Sequence, residues 1–165
     1  MFIFKKTLNP SGGRIMMEFV LGDSATFTIG DAVKLSAGVL VLSQGNASVA
    51  GIIAGFRTAA GEPLTVNGAS ADFTNTYTTP TSNTVIAKID ISKDSIYSVT
   101  ADATLATTTG SGLAGYTMDV VAASDQLDES TSLTTTGQFV SLGVDPDPQA
   151  ADNSVLVKIF ESQLV

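Results

Sequence analysis

The chain contains no histidine, no cysteine and no tryptophan in its 165 residues, and only five prolines. Without cysteine there is no disulfide framework and no thiolate zinc site. Without histidine or cysteine the usual pairings of a nucleophile with its base are gone. Charged residues are also scarce, at 15% against a typical ~25%, so Thr, Ser, Asn and Gly must supply much of the polar surface. No apolar run approaches the ~20 residues a membrane helix requires; the longest, Val49 to Phe56, is interrupted by two glycines. Met1 to Lys6 lacks the apolar core of a signal peptide. The expectation is a soluble chain made in the cytoplasm, with no membrane partner.

What charge there is lies unevenly. The net charge is −8. Before Gly61 the chain carries Lys5, Lys6, Arg14, Lys34 and Arg57 against Glu18, Asp23 and Asp31; beyond it Lys88, Lys93 and Lys158 face thirteen acids. An acidic body argues against general nucleic-acid binding, which needs Lys and Arg to neutralise phosphates. The first fourteen residues hold three cations and no acid. This basic end is either a dock for an acidic protein surface or a solvated tail.

What is present is β patterning. From Thr26 to Phe56 short apolar stretches end at Gly30-Asp31, Ala37-Gly38 and Gln44-Gly45-Asn46, residues that accept tight turns. Phe27/Ile29, Val33/Leu35, Val39/Val41 and Val49/Ile52 recur at or near period two, the spacing of strands with one buried face. Thr84 to Ser92 is the cleanest alternation, with Val85, Ala87, Ile89 and Ile91 on one face and Ile86, Lys88 and Asp90 on the other. Further strands are expected at 95–101, 116–122, 138–144 and 154–160, and shorter ones at 64–66 and 73–77. Residues 14–21 read as a strand or one helical turn. No amphipathic helix and no fixed-period repeat emerges.

The expected fold is therefore all-β: one compact barrel or sandwich of about nine to eleven short strands. Residues 1–13 read as an extended N-terminal arm, ended by Asn9-Pro10-Ser11-Gly12-Gly13, and residues 14–165 as the β domain. A Thr-rich loop insertion occupies about 58–83.

Chemistry-bearing groupings are sparse. Ser92-Lys93, and Ser36 near Lys34, are formal Ser/Lys pairs outside any motif with a mechanism. Asp125, Asp128 and Glu129, and Asp145, Asp147 and Asp152, read as solvated loop charges rather than a glycosidase pair or a calcium loop. Gly110 to Gly115 spells GxGxxG, but a strand-like YTMDVV follows it where a dinucleotide site needs a helix. The expectation is no enzyme, no cofactor and no metal.

The Gly30-Asp31-Ala-Val-Lys-Leu step, the Gly38-Val-Leu-Val-Leu strand, Val49-Ala-Gly-Ile-Ile-Ala-Gly-Phe56 and the ending from Asp152 to Val165 follow one another in an order that resembles the decoration, or cement, proteins of tailed-bacteriophage capsids. The resemblance covers most of the chain outside the Thr-rich insertion. It implies a non-enzymatic protein of the virion. Such a protein binds the outer surface of the mature shell, contacts the major capsid protein, and stabilises the shell by bridging capsomers. It also implies a homo-oligomer, a trimer in first place and a dimer in second. On that reading Phe2, Ile3 and Phe4 are apolar anchors for the capsid, and Lys5, Lys6 and Arg14 are charge complements. The alternative is a β-rich virion surface adhesin, or receptor- or glycan-binding head module, using loops at 61–83 and 104–114.

Overall fold

The computed structural model describes residues 1–45, 48–64, 76–103, 114–121, 125–133, 137–147, 149–150, 153–160 and 162–164, with backbone alone at 129–133. These residues form thirteen strands and no helix. They are β1 (Ile3–Thr7), β2 (Met16–Val20), β3 (Thr26–Thr28), β4 (Ala32–Ser36), β5 (Val39–Leu42), β6 (Gly51–Arg57), β7 (Thr76–Thr78), β8 (Ile86–Asp90), β9 (Ser95–Thr100), β10 (Thr117–Val120), β11 (Leu127–Leu133), β12 (Phe139–Val144) and β13 (Ser154–Ile159).

The strands pair antiparallel into two main sheets. The first runs β1-β9-β13-β12-β10-β11, the second β2-β8-β6-β4-β5, and β3-β7 is a separate ribbon. The chain opens in the first sheet, spends its middle in the second, and returns, so β1 lies beside β9 in a sheet otherwise built from residues 95–159. Each sheet curls on itself. A parallel bridge between Leu21 and Leu40 brings the end of β2 to β5, and one between Ala101 and Leu127 brings the end of β9 to β11. The result is a compact, sandwich-like all-β body.

Side-chain alternation explains the stacking. On β8, Ala87 and Ile89 join Val85 and Ile91 in one apolar cluster with Leu21, Phe27, Val33, Leu40, Ile53 and Phe56. The other cluster gathers Tyr97, Val99, Met118, Phe139, Val155, Val157 and Ile159 of the first sheet. Ala32 and Ile52 belong to this first-sheet cluster, while their neighbours Val33 and Ile53 belong to the other. The start of β4 at Ala32-Val33 and of β6 at Ile52-Ile53 is thus buried on both faces, and for that reason each reads as an adjacent apolar pair. Gln138 stitches the sheets: its Oε1 accepts from Val120 N at 2.7 Å and its Nε2 donates to Ser43 Oγ at 2.8 Å.

Two sequence expectations need correction, and one left open is resolved. The strand number exceeds nine to eleven because residues 1–13 contribute β1 and the acidic stretch 123–136 contains β11. The extended arm over 1–13 is not what the structure shows. Phe2 and Phe4 are two residues apart, so in an extended chain both turn to the same side. That side packs on the first-sheet core, with the Phe2 ring 4.6 Å from Phe139 and 6.2 Å from Tyr97, and residues 3–7 become edge strand β1. The ambiguous 14–21 stretch is strand β2 at its centre. Of the strand expected at 73–77 only Thr76 and Tyr77 are described, and they belong to β7; the strand expected at 64–66, the loop at 104–114 and the Gly110 to Gly115 motif lie mostly outside the described residues.

Candidate contact surface

Residues 1–20 supply one edge strand to each sheet: β1 on the first and β2 on the second. The six residues expected at the contact divide by this geometry. Phe2 is buried at 3% exposure, and Phe4 packs edge-on to Tyr97 at 6.0 Å. Ile3, between them, faces solvent at 52% exposure.

The cations divide as well. Lys5 Nζ lies 2.9 Å from Asp147 Oδ2 and 3.4 Å from Asp145 Oδ2. Arg14 Nε donates to Asp90 Oδ2 at 2.7 Å, and its guanidinium covers the Phe4 ring. Lys6 is exposed and enters no ion pair among the described residues. The basic end seen in sequence is therefore largely neutralised in space. The hydrogen bond from Lys5 to Asp147 raises the lysine and lowers the carboxyl. For Asp145, burial pushes the carboxyl up, but the Ser98 hydroxyl, the Asp147 N–H and Lys5 together hold it below its ordinary value.

What stands out on these two strands is apolar. Met1, Ile3, Leu8, Ile15, Met17 and Val20 are six of the nine large apolar side chains exposed among the described residues. Glu18, amid them, is held by Arg57, with Nη2 2.7 Å from Oε2, and the pairing lowers the Glu18 carboxyl. Leu8, Ile15, Met17 and Val20 were not singled out from sequence. Their signal was weak: isolated apolar residues beside a more conspicuous Phe-Ile-Phe. The β1–β2 connection is pinned by Leu8 N to Asp94 O at 2.8 Å and Ile91 N to Ile15 O at 2.9 Å.

Other polar groupings are structural in their contacts. Ser92 is buried, its N–H donating to Asp90 Oδ1 and its Oγ accepting from Asp94 N. Asp31 is buried beside the β3–β4 turn, where its Oδ2 accepts from Thr28 N at 2.7 Å. Burial, first, pushes its carboxyl up to about 6. The Met1 amine donates to the Asp125 carbonyl close by. Asp128 lies in register with Asp119 across β10 and β11, while the Glu129 side chain and Asp152 lie outside the described set. No group of three or more metal-ligating side chains gathers among the described residues. A cleft of about 120 Å³ opens at the seam of the sheets between Phe4, Arg14, Ile29, Ala54 and Tyr97, room for one side chain rather than a ligand of ordinary size.

Comparison with known protein families, with curated proteins and with solved structures returned no match.

Proposed function

We propose that the chain is a non-enzymatic decoration protein of a tailed-phage capsid, seated on the outer surface of the mature shell by the side of the sandwich that carries β1 and β2. The observation that carries this reading is that six of the nine large apolar side chains exposed among the described residues lie on residues 1–20. Large apolar side chains left exposed on two edge strands favour a surface that meets another protein. The order of strand and turn motifs from Gly30 to Phe56, and the strand-rich ending, support the same reading through their resemblance to capsid decoration proteins.

The contact set differs from the one the sequence alone suggests. Ile3, Leu8, Ile15, Met17 and Val20 make the apolar contact, with Lys6, which enters no ion pair among the described residues, as a cation beside them. Phe2, Phe4, Lys5 and Arg14 hold β1 in place so that this side has a fixed shape. Many copies on a lattice then add small contacts, and shell stability rises by avidity more than by single-site affinity.

The adhesin reading has one observation in its favour. Thr26 and Thr28 on β3 lie opposite Thr78 and Thr76 on β7, with paired hydroxyls at 2.8 and 3.2 Å. They form a small polar face between β3 and the described end of the Thr-rich insertion.

Purified protein added to expanded shells lacking it, imaged by cryo-electron microscopy, tests the proposal. Stoichiometric density at repeated lattice points on the outer surface is the expected result and gives the symmetry, threefold or twofold. Absence from the shell, with binding instead to cells or glycans, replaces it with the adhesin.

A further inference from the structure

We infer that the cleft at the seam of the two sheets is a binding site for a small aliphatic monocarboxylate of about four or five carbons, held by the outer edge of the Arg14 guanidinium. The shell contact proposed above makes no use of this cleft.

The chain has two arginines, and they spend their donors differently. Arg57 gives Nε and Nη2 to Glu18 and Nη1 to the Thr58 carbonyl. Arg14 gives Nε alone, to Asp90 Oδ2 at 2.7 Å, and neither of its Nη groups finds an acceptor among the described residues. Asp90 does not draw on them. Its Oδ1 accepts from Ser92 N, and its Oδ2 accepts from Ser95 Oγ and Tyr97 OH as well as from Arg14. A guanidinium is a planar fork, and its two Nη groups match the two oxygens of one further carboxylate. The fork is also held in position, 4.2 Å from the centre of the Phe4 ring. Little side-chain freedom is then left to lose on binding.

The cleft supplies the apolar half of the site. Arg14 stands at its mouth with Phe4 and Ala54, all three half-buried. Deeper in lie Phe2, Ile52 and Tyr97, none more than 3% exposed. The volume is about 120 Å³, somewhat below the ~150 Å³ of an apolar cavity that takes one benzene. A chain of four or five carbons therefore fills it.

The lining also decides what the ligand lacks. Among the described lining residues, the one polar side-chain group besides Arg14 is the Tyr97 hydroxyl, which is engaged with Asp90. A hydroxyl, amine or amide on the ligand's chain would enter without a free side-chain partner, and an unpaired buried polar group is costly. This disfavours amino acids, hydroxy acids, sugars and the ends of peptides. Phosphate and sulfate lack the apolar part that covers Phe2 and Ile52.

The test titrates the full ¹⁵N-labelled chain with sodium isovalerate in the millimolar range, against sodium chloride at equal ionic strength, read by amide chemical shifts. Saturable shifts at Phe4, Ala54 and Tyr97, reproduced by butyrate, are the expected result. Isovaleramide, the neutral isostere, is expected to bind about tenfold or more weaker, as is 3-hydroxybutyrate relative to butyrate. Arg14→Gln is expected to lose binding by at least the same factor. Because Arg14 also holds Asp90, Ala54→Leu serves as a second variant: it fills the mouth, keeps the Arg14–Asp90 pair, and is expected to abolish the saturable shifts. Shifts that follow ionic strength alone, an equal response to isovaleramide, or undiminished binding in a folded Ala54→Leu variant overturn the inference. Tighter binding of acetyl-Gly-Leu with a free terminal carboxylate than of isovalerate also overturns it, in favour of the end of another chain.

Discussion

Arg14 Nε donates to Asp90 Oδ2 at 2.7 Å, and the same guanidinium lies 4.2 Å from the centre of the Phe4 ring. Asp90 is fully buried on β8. It also accepts hydrogen bonds from Ser95 Oγ and Tyr97 OH of β9 and from the Ser92 N–H. One carboxylate therefore ties β8 of the second sheet to β9 of the first and to the β1–β2 connection. Removing the cation leaves a buried carboxylate without its counter-ion. Arg14→Ala is expected to cost about 3 kcal/mol, measured by urea denaturation. Arg14→Lys restores only part of the loss, because an ammonium keeps the charge but not the planar stacking on Phe4.

Asp31 gives the fold a pH dependence. Burial, against the opposing Thr28 N–H and reinforced by the nearby Asp125 charge, raises its carboxyl to about 6. An unfolded aspartate titrates near ~3.9, so between these values the folded chain holds a proton that the unfolded chain has released. The contribution of this group to stability is full below about pH 4 and is lost as the pH rises through about 6. Asp31→Asn keeps an acceptor for the Thr28 N–H and cannot ionise. At pH 7 the variant is expected to exceed the parent by on the order of 2 kcal/mol, and at pH 4 the two are expected to coincide. Urea midpoints at the two pH values decide it.

The β4–β5 hairpin turns on Ala37 and Gly38, both with positive φ, 49° and 87°. A two-residue turn of this kind favours Asn-Gly, because alanine tolerates the left-handed region poorly. Ala37→Asn is expected to stabilise by about 0.5–1 kcal/mol, and Gly38→Ala to destabilise by about as much or more. Thermal unfolding of the two variants gives opposite shifts.

Gly30 is constrained by both conformation and space. Its φ is +93°, and a Cβ there would sit 2.8 Å from the Phe2 carbonyl oxygen and closer still to Met1 Cγ. The methionine can swing aside, but the carbonyl belongs to the backbone that leads into β1. Gly30→Ala is expected to cost about 1–3 kcal/mol and to speed amide exchange across residues 2–7 before the rest of the chain.

How much of this was legible in the sequence depends on whether the deciding contact was local. The face carrying Val85, Ala87, Ile89 and Ile91 is buried as the alternation indicates, because a period of two follows from the extended backbone itself. Asp90 was placed on the correct opposite face, but its full burial was not visible. Lys88 on the same face is exposed, and only at Asp90 does β8 meet the first sheet, through partners, Arg14 and Tyr97, that come from other elements. The arm reading failed for a related reason. Phe2, Ile3 and Phe4 look like one apolar patch when read as composition, whereas strand pairing with β9 sends the phenylalanines inward and the isoleucine outward. The basic end was misleading because Asp145 and Asp147, more than a hundred residues away, neutralise Lys5. β11 was missed because its sequence, LDESTSL, is polar and carries two acids; its pairing with β10 overrides weak propensity.

Adjacent residues at the start of β1 separate folding from contact. Phe2 is 3% exposed and packs on Phe139 and Tyr97, whereas Ile3 is 52% exposed. Phe2→Ala is expected to cost about 3–4 kcal/mol through the cavity it leaves. Ile3→Ser and Met17→Ser, at exposed positions, are expected to change stability by no more than about 0.5 kcal/mol. If the β1–β2 side meets a partner, these two variants lose binding while their unfolding midpoints match the parent, and the double variant loses more than either alone. Occupancy on expanded shells, titrated beside urea denaturation of the same preparations, measures both. Full occupancy by the double variant removes the apolar side chains of residues 1–20 as the contact, because a surface that loses its exposed Ile and Met without loss of binding was not held by them.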